Sequence, residues 1–192
     1  SAAEADHYKL VFPEFDVIGF DYKSETPWEA KDEFRTYFAA AKKGYDEICI
    51  VANSIGAFFT MAAWGELEQE YSCISMAYFI SPIVDMEKLI CDMMTWADVT
   101  ENELRNKKTI PTEFGETLSW DYLCYVRKNP INWPFRTHIL YGSKDGLTSL
   151  DTMTKFASDV KAPLCVMDGG EHWFHTEEQM LFLDQWIKSA AI

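Results

Sequence analysis

The feature that most constrains this chain is the run Ile48-Cys49-Ile50-Val51-Ala52-Asn53-Ser54-Ile55-Gly56-Ala57-Phe58-Phe59. It starts apolar and β-branched, stops at a serine among small residues, and continues with helical spacing through Met61 and Trp64. A buried parallel strand is predicted to turn abruptly into a helix, with Ser54 at the corner. Such a corner forces the serine backbone toward positive φ and brings strand and helix close together, so the residues two before and two after it must be small. Ala52 and Gly56 meet that demand.

The rest of the chain repeats the alternation. Residues 1–12 read as a helix with Ala5, Tyr8 and Phe12 on one face and Pro13 after it. Phe15 to Phe20 reads as a first strand. Thr26-Pro27-Trp28-Glu29 is a capping box with proline at the first helical position, predicting a helix to about Lys43 that buries Phe34, Phe38 and Ala41. The helix after Ser54 is predicted to reach about Leu67, and Ile74 to Ile80 is the next strand. Alternating strands and helices imply a mostly parallel sheet with helices on both faces, whose ligands bind at the carboxyl ends of the strands.

Residues 83–134 break the pattern. Met86, Leu89, Ile90, Met93 and Met94 are spaced for one helix, Thr100-Glu101-Asn102-Glu103 caps a second, and Trp120 to Val126 forms a third. An excursion of about 50 residues between two strands suits a cap or lid over a site. Strands resume at Thr137 to Tyr141 and Leu164 to Met167, with a helix from about Ser149 to Val160 between them and a last helix capped at Thr176 that buries Leu183, Trp186 and Ile187. The length of 192 residues suits one domain, 1–192, with the cap inserted.

Composition narrows the partners. A formal net charge of -14, without a basic cluster longer than Lys42-Lys43 or Lys107-Lys108, disfavours nucleic acid and anionic membrane. No apolar run approaches the roughly 20 residues that span a bilayer, and Ser1-Ala2-Ala3-Glu4 is not a signal peptide. The five cysteines lie in apolar strand-like or helix-like runs without a C-x-x-C pair, which reads as buried, reduced thiols in a cytoplasm. Neither a zinc spacing nor a glycine-rich phosphate loop occurs, so no metal and no cofactor is implied.

Ala52-Asn53-Ser54-Ile55-Gly56 resembles the nucleophile elbow G-x-S-x-G of the α/β-hydrolases, with Ala52 in place of the first glycine. Tyr141-Gly142-Ser143-Lys144-Asp145 is similar to the segment that carries that family's acid, and Gly169-Gly170-Glu171-His172-Trp173-Phe174 to its histidine loop. The resemblance covers residues from about 15 to 190 in outline, the cap least of all. It implies an α/β-hydrolase-like fold with a small helical cap, acting on an acyl bond, and a serine at the elbow argues against dehalogenase or epoxide hydrolase chemistry.

Ser54, Asp145 and His172 each follow a predicted strand, in the order that this fold carries its triad. A serine hydroxyl needs a base to take its proton, and an imidazole serves when a carboxylate orients it. The expected activity is cleavage of a carboxylic ester or thioester in a small-molecule acyl substrate through an acyl-enzyme. Ser54 is the candidate nucleophile, His172 the base, Asp145 its orienter and Ile55 N–H an oxyanion donor. A peptidase or lactonase would use the same residues, and a non-catalytic binding protein of this fold is the alternative from another class. The second oxyanion donor normally follows an earlier strand, and the N-terminal strands of the fold are expected to be absent. Asp85 and His175 are the reserve acid and base; His7 and His138 read as structural and Glu171 as a solvated loop residue. Met93, Met94, Trp96, Trp120 and Tyr125 are the candidates for an apolar acyl pocket under the cap.

Overall fold

Helix caps and strand pairing fix the architecture between them. The computed structural model describes residues 2–64 and 73–190. In chain order these form α1 (Ala2–Val11), α2 (Pro27–Ala41), β1 (Ile48–Asn53), α3 (Ser54–Trp64) and β2 (Ile74–Ile80). The inserted cap holds α4 (Met86–Trp96), α5 (Glu101–Lys107), β3 (Thr109–Pro111), β4 (Thr117–Ser119) and α6 (Trp120–Lys128). Then come β5 (Thr137–Gly142), α7 (Leu150–Asp159), β6 (Leu164–Met167) and α8 (Glu177–Ala190). Capping boxes close at Thr26 with Glu29 and at Thr100 with Glu103, satisfying helix N–H groups that have no carbonyl one turn back. Asp85, Ser119, Ser149 and Thr176 each accept one such N–H at the starts of α4, α6, α7 and α8. The predicted extension of α3 to Leu67 falls outside the described residues.

Strands β1, β2, β5 and β6 lie side by side in that order, all parallel. Their register sets Asn53 level with Ile80, Ile80 with Leu140, and Gly142 with Met167. The residues that follow β1, β5 and β6 therefore emerge along one rim of the sheet. Side chains alternate between its faces. Ile50, Ala77, Phe79, Ile139 and Tyr141 join α2, α3 and α7 in the larger core, while Tyr78, Ile80, Leu140 and Met167 meet α1 and α8 in the smaller one. The cap is no separate layer, because Met94, Leu104, Leu118 and Leu123 belong to the same buried cluster as Phe34 and Phe79.

Three expectations are corrected. Phe15–Phe20 is not a strand, because a strand needs a hydrogen-bonded neighbour and this segment pairs with none among the described residues. Its apolar residues split instead: Phe20 packs edge-on to Phe34, with Tyr22 just beyond it tilted against the same ring, whereas Phe15 and Ile18 stay exposed at 60% and 54%. The cap also holds the hairpin β3–β4, paired from Thr109–Ser119 to Pro111–Thr117, where only helices were expected. Cys49 is exposed rather than buried, and the other four cysteines are half-buried free thiols.

Phe34 links α2 to Phe20, Tyr22 and Phe59, so it ties the irregular 15–22 segment to α3. Phe34→Ala is expected to lower stability by about 3–5 kcal/mol. Urea unfolding followed by circular dichroism reads this, and a loss below about 1 kcal/mol would show the cluster to be peripheral.

Candidate active site

At the end of β1 the chain turns into α3 through Ser54, whose φ is +44°. A non-glycine residue there is strained, and the strain lifts the side chain clear of both strand and helix. The demand for a small residue at position 56 is milder than expected, since a Cβ there would meet only the Tyr22 side chain, 3.5 Å from its hydroxyl oxygen and 3.7 Å from Cε1. On the next strand, Ser81 follows β2 with φ +43°, fully buried, and its N–H donates to Leu140 O. Two residues on, Ile83 N–H donates to Ser54 O at 3.3 Å, which ties the Ser54 corner to the end of β2.

The ends of β5 and β6 are stitched together more tightly still. A Cβ on Gly142 would fall 2.5 Å from Gly170 O and 2.6 Å from Glu171 O, so the two backbones approach as closely as glycine allows. Ser143 N–H donates to Met167 O at 2.9 Å, Lys144 N–H to Gly170 O at 2.8 Å, and Gly169 N–H to Ser143 Oγ at 2.8 Å. These bonds carry Asp145 and His172 toward each other. Asp145 is fixed by its own turn, in which Oδ1 accepts Leu147 N–H at 2.8 Å and Thr148 N–H at 3.2 Å. Thr148 is held in turn by Tyr141, whose hydroxyl donates to Thr148 O at 2.6 Å.

Oδ2 of Asp145 lies 2.7 Å from His172 Nδ1, and His172 Nε2 lies 2.7 Å from Ser54 Oγ. The carboxylate has no exposed side-chain surface and the imidazole keeps 17% of its own. A carboxylate accepts hydrogen bonds and does not donate, so the ring proton belongs on Nδ1 and Nε2 is left to accept from the serine hydroxyl. The arrangement can draw a proton from Ser54 and hold the resulting imidazolium against a fixed negative charge. Ile55 N–H lies in the first turn of α3, where no carbonyl one turn back competes for it.

The reserve residues do other work. Asp85 caps α4 through Lys88 N–H, at 2.9 Å. His175 is exposed and turned to Trp173 O at 2.7 Å, and Glu171 is exposed beside it. His138 lies in β5 stacked near Tyr78, where burial and then the Arg136 charge hold its imidazole below the usual range.

The five cap residues do not line the cavity beside Ser54. Met94 is buried in the core, Trp96 is 53% exposed against Phe114, Tyr125 packs on Trp28, and Arg105 lies over Trp120. Met93 is half-buried against the same core as Met94. The cavity, about 140 Å³, lies instead between α1, the histidine loop and α8. His7, expected to be structural, both pairs with Asp184 at 2.8 Å and lines this cavity. Glu4 lines it too and accepts from Asn53 Nδ2 at 3.0 Å. Nothing in the spacing of α1 marked it as a cavity wall. The role of Ser143 could have been suspected from its place between Gly142 and Asp145. Among the described residues no group of three or more His, Cys, Asp or Glu could hold a metal ion.

Solved structures share this fold, although no family model and no curated protein matches the sequence. The chain is similar to Est1E from Butyrivibrio proteoclasticus, with a TM-score of 0.67 at 15% identity over 87% of this chain and 70% of that one. It is also similar to the esterase domain of a Rhodothermus marinus protein, with a TM-score of 0.59 at 10% identity over 90% and 72%. The α/β hydrolase MGS-MChE2, from a lagoon-sediment metagenome, gives 0.50 at 18% over 85% and 71%. The chain has the α/β-hydrolase fold.

Gly142→Ala is expected to cost about 1–3 kcal/mol, because the new methyl meets backbone that has no room to yield. Gly44→Ala, whose Cβ would lie 3.8 Å from its nearest neighbour, should stay within about 0.5 kcal/mol. Equal urea midpoints for the two variants would show that the ends of β5 and β6 are not pressed together.

Proposed function

We propose that this chain is a serine hydrolase that cleaves a carboxylic ester or thioester in a small-molecule acyl substrate by way of an acyl-enzyme. What carries it is the unbroken hydrogen-bonded run from Ser54 Oγ through His172 to the enclosed Asp145 carboxylate. The similar Rhodothermus marinus structure is named an esterase domain, which supports the ester-cleaving part of this reading.

Ser54 Oγ attacks the carbonyl carbon as its proton passes to His172 Nε2, and Asp145 steadies the imidazolium. The carbonyl oxygen becomes an oxyanion facing Ile55 N–H. Collapse breaks the bond to the alcohol or thiol, which leaves with the proton from Nε2. Water then attacks the acyl-serine, gives its proton to the same nitrogen, and the acid departs as Ser54 regains its hydrogen. No described helix is long and apolar enough to cross a membrane.

A fluorophosphonate probe is expected to label the protein at Ser54, and Ser54→Ala should remove the label. His172→Ala should slow turnover on the order of 10⁶-fold and Asp145→Asn on the order of 10⁴-fold. Label persisting in Ser54→Ala would move the nucleophile elsewhere, and an unlabelled wild type would favour a binding protein of the same fold.

A further inference from the structure

The cavity beside Ser54 is small for a ligand site. Pockets that enclose drug-sized ligands span about 300–1,000 Å³, whereas a void of about 150 Å³ accommodates a molecule the size of benzene. At about 140 Å³, this one fits a group of about six non-hydrogen atoms. Ser54 and His172 both border it, so whatever fills it lies beside the reacting bond. Ile80, Phe174, Met180 and Leu183 give it an apolar wall.

The wall contributed by α1 is different in kind. Glu4 brings a carboxylate, held by Asn53 Nδ2 at 3.0 Å, and Asn53 is the residue directly before Ser54. His7 borders the cavity with its Nε2 taken up by Asp184. The Glu4 charge is felt across this region. Burial first, and then Glu4 and Asp184, push the Tyr8 hydroxyl above its ordinary range, and burial, Glu4 and Glu33 do the same to Tyr22. A carboxylate bordering a cavity with apolar walls attracts hydrogen-bond donors and cations and repels anions.

We infer that this cavity is the subsite that selects a compact substrate group bearing a hydroxyl or protonated amine, with Glu4 as its specificity-determining residue. The inference rests on the hydrolase reading of Ser54 and adds to it the size and charge of what is cleaved. The group can belong to the acyl or the alcohol side of the ester, and the two are separated by experiment.

One arm measures kcat/KM for 4-nitrophenyl esters of butanoic, octanoic, dimethylaminoacetic and succinic acids. The other uses acetate esters of butanol, octanol, 2-(dimethylamino)ethanol and glycolic acid. In one arm the eight-carbon member should fall at least roughly tenfold below the four-carbon member, and the dimethylammonium member should exceed its carboxylate counterpart by at least roughly tenfold. Glu4→Gln keeps an acceptor for Asn53 and removes the charge, so it should abolish the charge preference while leaving the length preference in place. Leu183→Ala, which widens the apolar wall, should raise the eight-carbon member relative to the four-carbon one. Equal rates for four and eight carbons in both arms, or a charge preference that survives in Glu4→Gln, overturns the subsite. Fluorophosphonate labelling of the same samples separates the causes: a labelled protein without these preferences sinks the subsite alone, and an unlabelled one sinks the hydrolase with it.

Discussion

Everything at the candidate site depends on how closely two stretches of backbone approach beyond the ends of β5 and β6. Gly142 and Gly170 leave no room for a side chain between them, and bonds from Ser143, Lys144 and Gly169 close the seam. The seam sets the distance from Asp145 to His172. A loop carrying a histidine is ordinarily a mobile place to put a base, because side chains on loops lack the support of regular structure. Here the first residues of the loop, Asp168 to Gly170, are bonded to Ser143 and Lys144 at the neighbouring strand end, two residues before the imidazole.

The sheet order explains why the histidine has to bridge. Strands lie roughly 4.8 Å apart, and β2 separates β1 from β5, so Ser54 and Asp145 emerge about two spacings from each other. Neither could touch the other directly. His172 arrives from β6, reaches back past β5 and spans the gap with its two ring nitrogens, each 2.7 Å from its partner. The end of β2 leaves room for this: Ser81 turns with positive φ and stays buried, and Ile83 N–H braces the Ser54 carbonyl. Strained residues at two neighbouring strand ends are the kind of feature that survives only where surrounding structure holds it in place.

Much of this was legible in the chain. Helix starts announce themselves through local chemistry, since a Thr or Ser side chain and a Glu three residues later interact within one turn; the boxes at Thr26 and Thr100 are where the sequence puts them. The strands β1, β2, β5 and β6 show as short apolar runs, although only β2 and β5, in the middle of the sheet, are mostly buried. Phe15–Phe20 carries the same signature and is not a strand, because strand identity is settled by a partner far away in sequence. The three-residue strands β3 and β4 are too short to show any period, and a proline such as Pro111 is uncommon inside a strand. The cap residues misled for another reason. Met93, Met94 and Trp120 carry the apolar signature of both a pocket and a core, and the chain used them to pack the cap onto the sheet.

The sequence by itself determined most of the helices, the four strands of the parallel sheet, the serine corner and the order in which a serine, an aspartate and a histidine follow their strands, because propensities, caps and turns are short-range effects written in adjacent residues. Tertiary structure alone decided that those three side chains meet at 2.7 Å, that the first helix rather than the cap walls the cavity beside Ser54, and that Glu4 stands in that wall. Contacts between residues more than a hundred positions apart, such as Ser54 with His172 or His7 with Asp184, depend on which strands pair and in what register. No local pattern encodes that choice, since it is made by the burial of both faces of the sheet at once.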